Sequence, residues 1–193
     1  YKEKQATNRR KMADPRLAAR RRAAKFSSES DDLVIGRNAV LEALRCGVPA
    51  STLYVAARIE HDDRTREIIR LAGIHGLNLM EADRLEMDRI ARSSNHQGVV
   101  MKAQPFQYSS LAELVERADK KSRAMEAANS ASARIAARPL FIALDGVTDP
   151  QNLGAVIRSA AAFGANGVIL PERRSASVTA AAWKVSAGAT AHM

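Results

Sequence analysis

The stretch PLFIALDGVTDPQNLGAVIRSAAAFG, residues 139–164, decides the fold of this 193-residue chain. Leu140 to Leu144 is apolar without alternation, which is typical of a strand buried on both faces of a parallel sheet. A polar turn follows. Leu153 to Phe163 then has apolar residues at helical spacing, and Gly164 is placed to end that helix. The pattern predicts a strand, a turn and a helix.

Two polar side chains near this turn are candidate site residues. In open α/β sheets, ligands bind beyond the carboxyl ends of the strands, close to helix N-termini. Asn152 lies where the helix begins, so its side chain either caps the first turn or faces a ligand. Arg158 follows one turn after Gly154, and its side chain would lean back over that bare position toward the pocket. From spacing alone, an ordinary surface arginine is an equal alternative.

The run DGVTDPQNLGAVIRSA at 145–160, followed by VILP at 168–171 and SAGA at 186–189, resembles the first motif region of the SpoU/TrmH family. These are the RNA 2′-O-ribose methyltransferases of the SPOUT superfamily. The resemblance implies that Asn152 and Arg158 are catalytic, that S-adenosylmethionine is the methyl donor without a metal, and that the protein forms a homodimer through its knot.

The resembled family often assigns its arginine the role of base. Arginine stays protonated in almost any protein setting, so we expect Arg158 to stabilise negative charge instead. Complete domains of this size class need about 100 residues or more, and residues 139–193 supply only a first part. We therefore expect a truncated chain whose donor-binding residues lie beyond Met193.

Between residues 33 and 105, short strands alternate with short helices, which predicts a compact α/β/α domain. The pattern places strands at 33–36, 52–57, 77–80 and 98–103, and helices at 38–44, 64–75 and 85–91. With GRNAV at 36–40 and NHQGV at 95–99, this domain is similar to the ribosomal-protein-L30e-like substrate-binding domain of the 23S rRNA guanosine-2′-O-methyltransferase branch. The expected architecture is that domain followed by the first part of a trefoil-knot, Rossmann-like methyltransferase domain.

Four residues of this domain are candidates for RNA contact. Arg37 and Asn38 lie at a strand-to-helix turn, where backbone donors and a guanidinium can share a phosphate. Asn38 is equally well explained as a helix cap. His96 and Gln97 either contact RNA or the second domain, or only shape the turn into the last strand.

The net charge of +9 is concentrated at the N-terminus, where residues 1–30 carry ten Lys and Arg. A basic segment with few aliphatic residues cannot fold alone, but it can displace counterions from a polyphosphate. We predict that residues 1–32 form a disordered RNA-binding arm; a solubilising tail is the alternative. The candidate contacts in this arm are Arg9, Arg10, Lys11, Arg20, Arg21 and Arg22.

Residues 106–138 separate the two predicted domains. Leu111 to Ala118 is amphipathic, and Ser109 or Ser110 is placed to cap a helix there. Residues 123–137 are rich in alanine with few large apolar side chains, so we expect a mobile linker. In residues 139–193, a strand at 167–170 and a helix at 178–185 complete the pattern, and Trp183 is expected to pack between helix and sheet.

Composition excludes several other classes. No apolar run approaches the roughly 18 residues of a membrane span, and no signal-peptide core is visible, so a cytoplasmic setting is expected. The single cysteine, Cys46, excludes an internal disulfide and is expected to be buried, and the four histidines lack metal-site spacing.

Three functions are consistent with the sequence. They are a guanosine 2′-O-methyltransferase of large-subunit rRNA, a tRNA or resistance-type rRNA methyltransferase, and an RNA-binding fragment without catalysis. The target nucleotide is not encoded in any residue pattern of this chain.

Overall fold

The computed structural model describes residues 32–60, 62–126 and 138–193. Residues 32–105, called here the N-terminal unit, contain a four-stranded sheet in the order β1-β4-β2-β3. Strand β4 is antiparallel to both of its neighbours, while β2 and β3 are parallel. The strands are β1 (Leu33–Ile35), β2 (Ala50–Ala56), β3 (Asn78–Ala82) and β4 (Val99–Ala103).

Three helices connect these strands, and two of them begin with a capping aspartate. They are α1 (Arg37–Arg45), α2 (Asp63–Ile74) and α3 (Arg84–Ala91). Asp62 and Asp83 cap α2 and α3 by accepting hydrogen bonds from backbone N–H groups of the first turn. The predicted alternation of strands and helices is confirmed, with bounds that differ by only a few residues.

Helix α4 (Leu111–Glu126) follows the N-terminal unit. Ser110 and Glu113 form a reciprocal capping box: the Ser110 hydroxyl accepts from Glu113 N–H at 3.2 Å, and the Glu113 carboxylate accepts from Ser110 N–H at 2.7 Å. The predicted cap at Ser110 is therefore confirmed. Leu114 and Ala118 are buried, so the first half of this helix is packed on the protein. Of the predicted mobile stretch at 123–137, residues 123–126 belong to α4, and residues 127–137 lie outside the described residues.

Residues 138–193, called here the C-terminal unit, begin with the predicted strand, turn and helix. Strands β5 (Phe141–Ala143) and β6 (Gly167–Ile169) form a two-stranded parallel sheet. The expectation that Leu140 to Leu144 is buried on both faces is wrong, since Leu140 is 43% exposed and, among the described strands, β5 pairs with β6 alone. The helices are α5 (Pro150–Ala162) and α6 (Ala180–Val185), followed by a 3₁₀ turn at Ala189–His192.

One hydrophobic core joins the two units. Val40 and Leu53 of the N-terminal unit belong to the same buried cluster as Leu153, Ile157 and Trp183 of the C-terminal unit. Trp183 is 4% exposed, which confirms its predicted packing role. The shared core differs from the mobile arrangement expected from the alanine-rich connection, because apolar side chains of both units are removed from water together.

Cys46 is exposed, so its predicted burial is wrong. It is the residue that ends α1, and its sulfur lies 3.5 Å from Nδ1 of His192. Desolvation, and to a lesser degree the charge of Glu42, raise the pKa of the Cys46 thiol. The thiol therefore stays protonated at neutral pH and is a poor nucleophile.

Candidate RNA-binding and catalytic site

The turn before α5 is fixed by Asp149. Its carboxylate accepts hydrogen bonds from the backbone N–H groups of Gln151 at 3.1 Å and Asn152 at 3.3 Å, and Pro150 occupies the first helical position. A capping Asp followed by Pro is a typical helix start, because Pro lacks the N–H that would otherwise need a partner. Asp149 therefore takes the capping role that was one alternative for Asn152.

Asn152 and Arg158 both have exposed side chains on α5. Within the described part of the chain, Arg158 makes no hydrogen bond or ion pair. Arg158 is six positions after Asn152 on the helix, which places their side chains about 120° apart around the axis. The helix therefore presents a guanidinium and an amide to neighbouring faces, both accessible to a bound molecule.

Gly154 allows α6 to lie directly against α5. A Cβ atom at this position would be 2.6 Å from the carbonyl oxygen of Ala182 and 3.0 Å from Cβ of Val185. The bare position was expected to clear a path for Arg158, but its nearest neighbour is the backbone of α6. Contact with α6, together with the burial of Leu153, fixes the orientation of the helix that carries Arg158.

The N-terminal unit brings Arg37 and Gln97 together, although they are 60 residues apart. The backbone N–H of Arg37 donates to the side-chain oxygen of Gln97 at 2.9 Å, and Arg37 Nε donates to the Gln97 carbonyl at 3.2 Å. Gly36, at φ +96°, has the Gln97 amide oxygen 3.0 Å from where a Cβ would lie. The two candidate segments at 36–38 and 95–98 thus form one surface.

The Arg37 guanidinium is held by acidic neighbours. Its Nη1 lies 2.9 Å from Asp62 Oδ2 and 3.5 Å from Glu60 Oε2, and its side chain is 22% exposed. A phosphate that binds Arg37 therefore has to compete with a carboxylate. Asp62 connects this ion pair to the start of α2, because the same side chain accepts from Thr65 N–H at 2.8 Å.

The capping bond from Thr65, assisted by the charge of Arg37, holds the pKa of Asp62 below its usual range. Its stabilising effect is therefore present above the unfolded-state pKa and is lost as pH falls through the folded-state pKa. We expect Asp62→Ala to melt at a lower temperature than the unsubstituted chain at neutral pH, with the difference vanishing in strong acid. Thermal unfolding followed by circular dichroism across pH measures this.

Asp83→Ala is the matched control, because Asp83 caps α3 through Glu86 N–H at 2.8 Å. We expect the Asp62 variant to lose more, because it also releases Arg37. A melting difference for Asp62→Ala that stays constant from neutral to acidic pH would show that its charge contributes nothing.

The other two candidates in this surface differ in exposure. His96 is buried at 6%, its Nδ1 accepts from Gly98 N–H at 2.9 Å, and its Nε2 lies 3.3 Å from Asp88 Oδ1. That position suits the alternative in which His96 shapes the turn. Asn38 is exposed in the first turn of α1, and the cap position is Gly36, so Asn38 is not the cap. The six candidate residues of the basic arm lie outside the described residues.

A cleft of about 460 Å³ is lined by β6 and the loop after it on one side and by the segment that leads into α4 on the other. Its lining is mainly apolar and includes Ile157, Val168 and Leu170. Polar side chains on its lining include those of Arg117, Glu172, Arg173 and Ser175. The cleft takes in all three residues of β6 as well as the loop after them.

Sequence reasoning missed two residues that shape this site, Asp62 and Lys184, and it placed Asp149 in the turn without assigning it the capping role. The signal for Asp149 was present, since an Asp-Pro pair before an apolar helical pattern marks a helix start. Lys184 donates from Nζ to the carbonyl oxygen of Asn95 at 2.8 Å. No local pattern in the sequence indicated that bond, because its partner is 89 residues away.

None of the helices in the described ranges combines the length and low polarity that a bilayer span requires. In the same ranges, no group of three His, Cys, Asp or Glu side chains is arranged to hold a metal ion. What the site offers is an arginine and an amide on a fixed helix, next to a small α/β unit with a polar surface turn. By its fold the chain is a mixed α/β protein of two units that share one hydrophobic core.

The chain belongs to the SpoU family of RNA methyltransferases. Residues 33–109 match the family described as RNA 2′-O ribose methyltransferase substrate binding, and residues 139–193 match the SpoU rRNA methylase family. The boundary between the two matches falls in the segment that contains α4.

Relatives and solved structures agree with this assignment. The chain is 45% identical over 175 residues to an uncharacterised tRNA/rRNA methyltransferase of Mycolicibacterium vanbaalenii, covering 90% of this chain and 51% of the relative. It is 42% identical to one of Mycobacterium avium, covering 95% and 53%. The chain therefore spans about half the length of the curated relatives it matches.

Two solved structures share the fold. An AdoMet-bound rRNA methyltransferase from Sinorhizobium meliloti has a TM-score of 0.62 at 21% identity, covering 93% of this chain and 60% of that one. The SpoU methyltransferase AviRb from Streptomyces viridochromogenes has a TM-score of 0.60 at 20% identity, covering 86% and 52%. At these identities the likeness concerns the fold alone.

Proposed function

We propose that this chain supplies the RNA-binding unit and the first catalytic segment of a 2′-O-ribose methyltransferase. The reaction transfers a methyl group from S-adenosylmethionine to a guanosine ribose in 23S rRNA. The observation that carries the proposal is Arg158, an exposed guanidinium without an ion pair among the described residues, on a helix fixed by Gly154. A cation kept accessible in this way is suited to an anionic ligand such as a ribose-phosphate.

Methyl transfer to a ribose hydroxyl depends more on stabilising negative charge than on a strong base. A ribose 2′-hydroxyl is weakly acidic, so its oxygen must lose or share a proton as it attacks the methyl carbon. The protonated Arg158 neutralises the adjacent phosphate and stabilises the developing alkoxide. Asn152, exposed at the start of the same helix, orients the ribose through its amide. The 2′-oxygen would form a bond to the methyl carbon as the carbon–sulfur bond of the donor breaks, so that S-adenosylhomocysteine leaves and the hydroxyl proton passes to solvent.

The cleft beside β6 fits part of the methyl donor. Its volume of about 460 Å³ is within the usual range for small-ligand sites, its mainly apolar lining suits an adenine ring, and the Arg173 side chain in that lining suits a carboxylate. We assign to Arg173, Leu170 and Ser175 the share of the donor pocket that this chain contributes. S-adenosylmethionine, when bound, supplies the electrophilic methyl group. The relatives are about twice as long, so other segments complete the pocket.

RNA is held by the surface around Arg37, Asn38 and Gln97 and by the basic arm. The ten Lys and Arg side chains in residues 1–30 of the arm would bind RNA phosphates and release counterions, which adds affinity that does not depend on the RNA sequence. We further propose a cytoplasmic enzyme that acts as a homodimer.

A tRNA substrate is the second candidate, because the relatives carry the description tRNA/rRNA methyltransferase. Methyl transfer decides between the two. The product of the complete reading frame is incubated with donor labelled in the methyl group and with 23S rRNA, 16S rRNA or tRNA. We expect label in 23S rRNA, recovered in an alkali-resistant dinucleotide with 2′-O-methylguanosine, since 2′-O-methylation blocks alkaline cleavage.

Other outcomes are equally informative. Label in tRNA alone favours the second candidate, and label in a base excludes ribose methylation. Calorimetry with the donor, on this chain and on the complete product, tests the third possibility. A complete product that binds RNA but neither donor nor methyl label is an RNA-binding module without catalysis.

A further inference from the structure

Three residues of the C-terminal unit contact the N-terminal unit at intervals of four residues. They are Lys184 at the end of α6, Gly188 in the turn that follows, and His192 in the 3₁₀ turn. The helix ends at Val185, and Ala187 and Gly188 both have positive φ, so the chain turns between Lys184 and His192. These three residues, called here the docking row, make separate contacts with the N-terminal unit, Lys184 with the loop at Asn95 and the other two with α1.

Lys184 reaches the loop that carries the candidate RNA contacts. Its Nζ donates to the carbonyl oxygen of Asn95 at 2.8 Å. Two residues further along, Gln97 adopts φ 54°, a left-handed conformation that is uncommon outside glycine, and holds Arg37 through both its side chain and its carbonyl. Lys184 therefore fixes one end of the loop whose other end fixes Arg37.

Gly188 and His192 contact the same helix of the N-terminal unit, α1. A Cβ at Gly188 would be 2.5 Å from Cβ of Glu42 and 3.3 Å from the carbonyl oxygen of Asn38, so only glycine fits. His192 Nε2 lies 3.1 Å from Glu42 Oε2 and its ring lies against the Cys46 sulfur. The docking row thus touches α1 near Asn38 and again one to two turns later.

Helix α6, which carries Lys184, also fixes the position of α5, the helix that carries Arg158. The carbonyl oxygen of Ala182 on α6 occupies the space that a side chain at Gly154 of α5 would need. Arg158 is one turn further along α5. One helix, α6, therefore contacts both the loop next to Arg37 and the helix that carries Arg158, with no intervening flexible segment.

We infer that Lys184 is a positioning residue that sets the angle at which RNA bound to the N-terminal unit meets Arg158. The inference rests on the proposed function. The inference adds that the N-terminal unit is not tethered by a flexible linker but is held in a fixed position against the C-terminal unit. The target ribose is then selected by its distance along the RNA from the nucleotides held around Arg37.

Trp183 tests the docking in this chain as it stands. It is the only tryptophan, it is 4% exposed, and its ring contacts Phe106 edge-on at a centroid distance of 6.3 Å. We expect blue-shifted emission and weak quenching by acrylamide. Gly188→Leu, which wedges the units apart at Glu42, raises the quenching constant several-fold. Strong quenching of the unsubstituted chain, with the circular dichroism of a folded protein, overturns the inference.

Turnover of the complete product tests the positioning role. We expect Lys184→Ala to lower kcat on RNA about tenfold, while RNA affinity, donor affinity and melting temperature stay close to the unsubstituted protein. Lys184→Arg restores kcat, because a guanidinium also donates to a carbonyl. Lys121→Ala, on an exposed face of α4, is the matched control for loss of one lysine.

The outcomes separate the two proposals. The positioning role is excluded if Lys184→Ala leaves kcat unchanged, or if RNA affinity falls by the same factor as kcat. In either case the methyltransferase proposal stands. Absence of methyl transfer by the unsubstituted protein, with Trp183 still shielded from acrylamide, removes the proposed function and the positioning role with it, and leaves only the fixed docking of the units.

Discussion

Arg158→Ala in the complete protein lowers kcat for methyl transfer by about 10²- to 10³-fold, the range found when a group that stabilises transition-state charge is removed. The fold should not be affected. The side chain is exposed and has no ion pair or hydrogen bond to another described residue, so its loss changes the free energy of unfolding by no more than about 0.5 kcal/mol. Single-turnover methylation and thermal melting, measured on the same sample, give both quantities.

Two further variants sharpen this prediction. Arg158→Lys keeps the charge but loses the planar fork of donors, so we expect it to recover only a small part of kcat. Ser159→Ala replaces the neighbouring exposed residue on the same helix and should leave turnover unchanged. If Arg158→Lys retained near-normal turnover, bidentate contact with a phosphate would be excluded and a point charge would suffice.

The local structure of this chain could be predicted from its sequence because each element carries its own signals. The apolar run before Asp145, the Asp-Pro pair at 149–150 and the glycine at 164 are all contained within one strand, turn and helix. The capping box at Ser110 is equally local. Short-range hydrogen bonds and helical periodicity were sufficient to place these elements.

The contacts of the site could not be predicted, because they join residues far apart in the chain. Arg37 was recognised as a cation, but its partners Asp62 and Gln97 are fixed by how the sheet brings two loops together. The exposure of Cys46 depends on α1 ending at the surface beside His192. Periodicity gives the buried face of a helix, whereas the identity of the neighbour on each face comes only from tertiary packing.

The sequence correctly indicated that a small residue is required at position 154, but the structural reason differs from the expected one. The sequence indicated that a large residue there would obstruct Arg158. In the structure, the space above Gly154 is filled by the Ala182 carbonyl oxygen, 2.6 Å from a Cβ and therefore too close for any side chain. Backbone atoms of α6 cannot rotate away as a flexible side chain can, so the clash requires one helix to move.

Gly154→Leu is therefore expected to lower the free energy of unfolding by about 3 kcal/mol, at the upper end of the usual range for overpacking. For a protein of this size, that corresponds to a fall in melting temperature of roughly 6 to 12 °C. Chemical denaturation of this chain measures the change. Leucine has a higher helix propensity than glycine by nearly 1 kcal/mol, so the observed loss is already net of that gain.

Ala155→Leu is the matched control, because Ala155 is exposed on the same helix and one residue away. It adds the same kind of side chain without entering the contact with α6, so its stability should stay within about 0.5 kcal/mol of the unsubstituted chain. If Gly154→Leu were as stable as Ala155→Leu, α6 would not lie against α5. Without that contact, Arg158 would have no fixed relation to the loop at Asn95, and the geometry proposed for presenting RNA to it would fail with it.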